Sequence, residues 1–202
     1  MKNGLKMNAK ATYPTYFENK TMFLENPNNP PSELNITIPS LTRPNEPFKI
    51  KISVRDANGF PATQCEETLV ITSLQDDSMR LEAPLSKDKV AVAAIEGVTL
   101  KNEGFYRFES TLGGKVFHSN PTWCSSSNTG QIYWGDPHIH TNLSNCGPER
   151  GRSLNYCFTA AKHSTCLDWA SAADHVSNGR CELAKWKEQA AVDVAGGGHY
   201  LR

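Results

Sequence analysis

Three histidines and two aspartates form the group of residues with the clearest chemical potential. His138 and His140 are separated by one residue, so in an extended strand both imidazoles leave the same face. Asp136 precedes this pair, and Asp174 and His175 close a later apolar run. Because the carboxyl ends of adjacent parallel strands meet at one edge of a sheet, we expect three imidazoles and two carboxylates to converge there.

This mixture of ligands indicates a divalent metal site. Imidazole and carboxylate together suit zinc, manganese or iron rather than calcium, and such a metal lowers the pKa of a bound water to about 7. The chemistry that the cluster predicts is therefore metal-assisted hydrolysis. His118, His163 and His199 have no comparable arrangement, and we interpret them as ordinary surface or core histidines.

The elements that must position the cluster have the pattern of a parallel α/β unit over 131–202. Apolar runs at 132–134 and 167–173 predict strands, and helical spacing of apolar residues predicts helices around 154–161 and 183–194. Strand, helix, strand, helix is the order of such a unit.

The chain before this unit has the period-two alternation of half-buried antiparallel strands. In 48–54, for example, every second residue is apolar and the others are polar. The spacing predicts an immunoglobulin-like β-sandwich over 34–124, preceded by an irregular arm (1–33) and followed by a small polar linker (125–130). The predicted strands are 34–38, 48–54, 68–74, 79–81, 90–95, 104–111 and 115–118.

The histidine region resembles the PHP family, named for polymerase and histidinol phosphatase. The family's first motif reads roughly D-L-H-x-H-T, and Asp136-Pro137-His138-Ile139-His140-Thr141 matches it with proline in place of leucine. The second motif is matched by Leu167-Asp168-Trp169 up to Asp174-His175. With Tyr133-Trp134-Gly135 before the motif and Ser119-Asn120-Pro121 at the end of the sandwich, the chain looks like a bacterial group of PHP-like proteins.

The resemblance implies a β/α barrel with a multi-metal centre at its carboxyl-end face and a phosphoesterase-like activity on a small-molecule or phosphoester substrate. It implies that His138 and His140 ligate one divalent metal (zinc, manganese or iron) and that His175 ligates a neighbouring one. Asp136 and Asp174 are expected to ligate or to orient imidazole N–H groups.

Two departures from the family pattern accompany this resemblance. Asn145 stands where the family commonly has an aspartate, and the family's later ligands have no counterpart in the chain. From Gln131 onward there are about 70 residues, whereas a complete barrel needs about 200 or more. We therefore expect the sequence to be an amino-terminal fragment of a longer enzyme, with weak metal binding and no appreciable activity by itself.

Composition bounds the alternatives. The net charge is zero, which disfavours nucleic acid as a partner, and no apolar stretch approaches the length of a membrane span. The start lacks the apolar segment of a signal peptide, so the cytoplasm is the expected compartment. Two other functions remain open: a noncatalytic sandwich module for binding or adhesion with an incomplete metal site, and an amidohydrolase, to which the close Asp174-His175 pair is less suited.

Overall fold

The structure is a computed structural model that describes residues 30–57, 59, 61–62, 64–85, 91–141, 157–158 and 160–175. Its strands, in chain order, are β1 (Glu33–Thr37), β2 (Leu41–Thr42), β3 (Phe48–Arg55), β4 (Thr68–Ser73), β5 (Arg80–Pro84), β6 (Val92–Val98), β7 (Gly104–Tyr106), β8 (Phe108–Leu112), β9 (Lys115–His118), β10 (Thr122–Cys124), β11 (Gly135–Ile139) and β12 (Trp169–Ala172). No helix in these described ranges combines the length and apolar character needed to cross a membrane.

The described residues divide into two compact units. The sandwich unit comprises residues up to Tyr133 together with Ser164–Cys166, and the histidine unit comprises the described residues from Trp134 onward apart from those three. The division falls shortly after 125–130, the predicted linker. That segment is built into the sandwich unit, since the Ser125 N–H donates to the carbonyl of Thr42 over 3.0 Å.

The predicted β-sandwich is confirmed. One sheet has the order β1-β3-β6 and the other β5-β4-β8-β9, and every pairing within them is antiparallel. Both sheets contribute to one buried core, in which Ile50, Ile52, Ile71 and Phe108 have no exposed surface. Removing each such side chain from water stabilises the fold by about 1.5–3 kcal/mol.

β3 shows why the pattern specifies this fold. Its apolar residues Ile50, Ile52 and Val54 face the core, as the alternation predicts. Phe48 packs edge-on against Phe108 of the opposite sheet, with ring centroids 6.4 Å apart. β3 is the central strand of its sheet, so this amphipathic strand fixes which face of both neighbours is buried.

One predicted strand is two strands. The segment 104–111 divides at Arg107 into β7 and β8, which belong to different sheets. The Arg107 N–H donates to Oε1 of Gln75 over 2.7 Å and so leaves the ladder, whereas its carbonyl accepts the N–H of Leu74 over 2.9 Å and continues the pairing of β8 with β4. The alternation continues through the break, which is why the sequence alone does not reveal it.

A third sheet, β2-β10-β7, was not predicted. β10 runs parallel to β2 and antiparallel to β7, and β2 and β10 are only two and three residues long. Two asparagines help to hold this region together. Asn120 pairs with both backbone groups of Ile38, its Oδ1 accepting over 3.0 Å and its Nδ2 donating over 2.8 Å. Asn128 donates to the carbonyls of Thr42 and Trp123, each over 2.8 Å.

The predicted hairpin between β8 and β9 is present. Gly113 and Gly114 have φ angles of 56° and 76°, the left-handed values that a tight two-residue turn requires at both positions. Residues other than glycine rarely adopt this backbone conformation, so the glycine pair explains the turn.

The polar outer face of β1 and β3 is covered by Ser164–Cys166. Ser53, which is 2% exposed, donates its hydroxyl to the carbonyl of Ser164 over 2.5 Å. Lys51 donates to the carbonyl of Cys166 over 3.4 Å.

Two buried cysteines have raised pKa values. Burial raises the pKa of the Cys166 thiol, and burial followed by the charge of Glu67 raises that of Cys65 to about 12. Both thiols are therefore protonated near neutral pH.

We predict that Asn120→Asp destabilises the sandwich by about 1–3 kcal/mol, because the isosteric carboxylate replaces a donor to the Ile38 carbonyl with a second acceptor. Urea denaturation followed by tryptophan fluorescence measures the change. Asn102→Asp, at an exposed position, is the matched control and should leave the midpoint unchanged. Equal midpoints for the two variants would contradict the role given to Asn120.

Candidate metal site

The histidine unit is built on a parallel pair of strands. β11 and β12 pair in parallel, with Gly135 opposite Trp169 and Ile139 opposite Ala172. Parallel neighbours need a crossover connection, and the described part of that connection includes helical residues at 157–158 and a π-helical turn, Ala160–Ser164. The expectation that two adjacent strands end side by side is met. A helix predicted at 183–194 lies outside the described residues.

An aspartate fastens each end of this strand pair. Before β12, Asp168 accepts the N–H of Trp134 through Oδ2 over 2.9 Å, and its own N–H donates to the Trp134 carbonyl over 2.7 Å. After β12, Asp174 accepts the N–H and the hydroxyl of Thr141 over 2.6 and 2.9 Å. The two carboxylates thereby set the register of the strands at both ends.

The first strand starts later than predicted. Residues 132–134 are not a strand, and Ile132, Tyr133 and Trp134 are 44%, 48% and 59% exposed. The strand is the motif itself, from Gly135 onward. A side chain at Gly135 would overlap the ring of Trp169, so this position admits only glycine without movement of the tryptophan.

Pro137 interrupts the ladder within β11. It has no N–H, and the N–H of His138 donates instead to Oδ1 of Asp136 over 2.9 Å. The register shifts between Asp136 and Ile139, the segment in which Pro137 lacks an N–H and the N–H of His138 is bonded to a side chain. The carboxylate of Asp136 therefore holds the backbone that carries the first histidine.

The structure brings the three predicted histidines together. The Nε2 atoms of His138 and His140 are 2.8 Å apart, and their ring centroids 4.8 Å. The ring of His175 meets that of His140 edge-on, with centroids 4.6 Å apart. His138 and His175 are exposed, and His140 is half-buried, so the cluster is open to solvent. Side chains that leave one face of β11 and the end of β12 account for this convergence.

The donor chemistry and the spacing fit a first-row metal ion. Two imidazole nitrogens at about 2.0–2.1 Å from one cation lie about 2.8–3.4 Å apart for angles of about 90–110° between them. The observed 2.8 Å is at the short end of that range, and it is also the length of an N–H···N hydrogen bond. No group of three or more histidine, cysteine, aspartate or glutamate side chains within the described ranges forms a ready-made metal site.

Asp136 and Asp174 both hold the backbone of β11 and its end: Asp136 accepts the His138 N–H, and Asp174 accepts the N–H and the hydroxyl of Thr141. That these carboxylates also ligate a metal or orient imidazole N–H groups stays a prediction. Sequence reasoning missed Thr141 and Asp168 as positioning residues. The threonine that closes the D-x-H-x-H-T pattern could have suggested the first, since Thr141 is 1% exposed. Asn145 lies outside the described residues.

Comparisons with known proteins leave the family open. No family model matches the chain, and no curated protein matches it. Among solved structures, a CARDB domain from Pyrococcus furiosus, solved in complex with di-metal ions, is 14% identical, with a TM-score of 0.30, and the match covers 46% of this chain and 87% of that one. A carbohydrate acetylesterase from Xanthomonas citri is 8% identical, with a TM-score of 0.30, over 68% of this chain and 39% of that one.

We predict that Thr141→Val loosens the cluster, because it removes the hydroxyl that donates to Asp174 while keeping the shape of the side chain. A hydrogen bond to a charged group contributes about 1.5–3 kcal/mol. Thr141→Ser retains the hydroxyl and is the control. Urea denaturation and zinc titration should show a lower midpoint and weaker binding for Thr141→Val than for Thr141→Ser. Identical behaviour of the two variants would remove Thr141 from the positioning residues.

Proposed function

We propose that this protein is a metal-dependent hydrolase with phosphoesterase-like activity of the PHP type. The observation that carries the proposal is the convergence of His138, His140 and His175 at the carboxyl ends of two parallel strands. Active sites of β/α barrels and open α/β sheets form at that edge. In this proposal β11 and β12 are the first two strands of a β/α barrel.

The proposal gives the histidines and the aspartates of the cluster different roles. His138 and His140 would hold one divalent cation, and His175 a neighbouring one; zinc, manganese and iron suit these ligands. Such a cation supplies Lewis acidity and an activated water. Asp136 fixes the backbone at His138, and Asp174 fixes the end of β11 through Thr141.

The surroundings of the cluster favour a small charged ester over a buried apolar substrate. His138 and His175 are exposed, and a charged phosphoryl group suits a solvent-facing site better than a buried one. Imidazole ligands bring no negative charge to offset that of a bound cation, which therefore attracts an anionic substrate. The same shortage of anionic ligands limits how firmly two divalent cations are held by the described residues.

We expect isothermal titration with zinc or manganese chloride to show weak binding that disappears when His138 and His140 are both replaced by alanine. Two lost imidazoles leave His175 alone among the three ring ligands. His118→Ala, on β9 of the sandwich unit, is the control and should bind as the unchanged protein does. Absence of binding, or binding unaffected by the double replacement, would overturn the metal site.

The reaction is tested with p-nitrophenyl phosphate and bis-p-nitrophenyl phosphate in the presence of manganese, zinc or iron. We expect no appreciable turnover from the three imidazoles alone, because a two-metal reaction also needs ligands that bridge the cations and fix the water. Metal-dependent turnover that His138→Ala removes would establish the hydrolase and show that other residues of the chain complete its centre. Turnover that His138→Ala leaves intact would place the reaction elsewhere.

A further inference from the structure

An exposed pair of aromatic rings lies on the outer face of the β2-β10-β7 sheet. Phe105 and Trp123 are direct partners in the register, and they are 70% and 43% exposed. Their neighbours on the inner face, Tyr106, Thr122 and Cys124, are buried. The pair is thus placed outward by the strand alternation, and it lies away from the core that explains the other large apolar side chains of these strands.

The two rings form a broad surface. Their planes are 19° apart and their centroids are separated by 6.1 Å. Rings stacked directly over one another would be about 3.5–4 Å apart, so these are laterally displaced and each keeps part of its π-face uncovered. Leu41, opposite Trp123 on β2, extends the same row and is half-buried.

Two charged residues follow the apolar row along the chain, and we call them the polar row. Arg43 lies two residues after Leu41, just beyond β2, and Glu103 lies two residues before Phe105, just before β7. Because β7 runs opposite to β2 and β10, both residues lie toward the same end of the sheet. Glu103 accepts the hydroxyl of Ser126 and, over 2.8 Å, its N–H, and these hydrogen bonds, the hydroxyl's first, lower the pKa of the Glu103 carboxyl group. The guanidinium of Arg43 donates to the carbonyl of Asn128 and pairs with Glu46 over 3.0 Å. Both charged groups are therefore held in defined positions before any ligand arrives.

A small cleft continues the polar row beyond Leu41. It has a volume of about 120 Å³ and is lined by Arg43, Glu46, Asn128 and Gln131. Pockets that enclose a small-molecule ligand have volumes of about 300–1,000 Å³. The cleft is thus too small for a whole ring, and its polar lining suits a hydroxyl or hydroxymethyl substituent.

We propose that this face binds a neutral carbohydrate, with a pyranose ring stacked on Phe105 and Trp123 and its hydroxyls hydrogen-bonded to Glu103 and Arg43. The C–H groups of a pyranose face carry partial positive charge and suit the negative π-face of an aromatic ring. The hydroxyls at its edge need hydrogen-bond donors and acceptors, which in this proposal are the Arg43 guanidinium and the Glu103 carboxylate.

The charges on the face favour a neutral ligand over the alternatives. Arg43 is paired with Glu46, and Glu103 adds a carboxylate, so an anionic polymer gains no net attraction. The chain has 21 basic and 21 acidic residues, which gives no overall field for a nucleic acid or an anionic membrane. The proposal is independent of the histidine cluster.

The experiment is isothermal titration of the full chain with cellohexaose, maltohexaose and chitohexaose, each up to millimolar concentration. We expect at least one of the three to bind. Phe105→Ala and Trp123→Ala should each weaken that binding by about tenfold or more, and Trp123→Tyr, which retains a ring, by less. Val116→Ala removes an apolar side chain that is 56% exposed on β9, and it should leave the affinity unchanged, as should His138→Ala.

Three results would overturn the proposal. The first is failure of all three oligosaccharides to bind. The second is binding that neither aromatic replacement weakens; Phe105→Ala, at an exposed position on a strand at the edge of its sheet, serves if Trp123→Ala does not fold. The third is a dimer in light scattering that Phe105→Ala converts to monomer, which would assign the face to a second copy of the chain. Retained sugar binding with lost metal binding in His138→Ala would separate this site from the hydrolase.

Discussion

The register between β11 and β12 governs the candidate metal site. In a strand, a slip of one residue turns each side chain to the opposite face, so a cluster of imidazoles depends on the pairing being held. Asp168 holds the amino ends and Asp174 the carboxyl ends. Between them, Gly135 allows the Trp169 ring to lie against the backbone. These contacts hold the backbone that carries the histidines, and the backbone decides where the imidazole nitrogens lie.

In the sandwich unit, the two faces of the short β2-β10-β7 sheet have different roles. Residues of β7 and β10 alternate between a buried inner face and an outer face that carries Phe105 and Trp123. The inner face contributes to the core, and the outer face is free to vary without affecting packing. Residues on the outer face can therefore form a binding surface with little change in the free energy of unfolding.

Much of this architecture could be predicted because it is local. The alternation in β3 predicts a strand, and the glycine pair before β9 predicts a turn, from neighbouring residues alone. His138 and His140 share a face because they are two residues apart. The break at Arg107 could not be predicted, because the Gln75 side chain that accepts its N–H comes from elsewhere in the chain. β2 and β10 are too short to display a period, and without β10 the meeting of Phe105 with Trp123 cannot be inferred.

The contact between Asn120 and Ile38 joins residues that are 82 positions apart, and β10 meets β2 over a similar separation. Closing so long a loop costs conformational entropy that only the completed sheets can offset, which makes the route to the native state depend on non-local encounters. Such topologies fold in milliseconds to seconds rather than microseconds. Asn120, between β9 and β10, holds Ile38, directly after β1, and β10 pairs with β2, so the early and late segments of the sandwich unit stabilise each other. Asn120, which closes this loop, thus forms its contact late in folding and makes unfolding of the sandwich unit more cooperative.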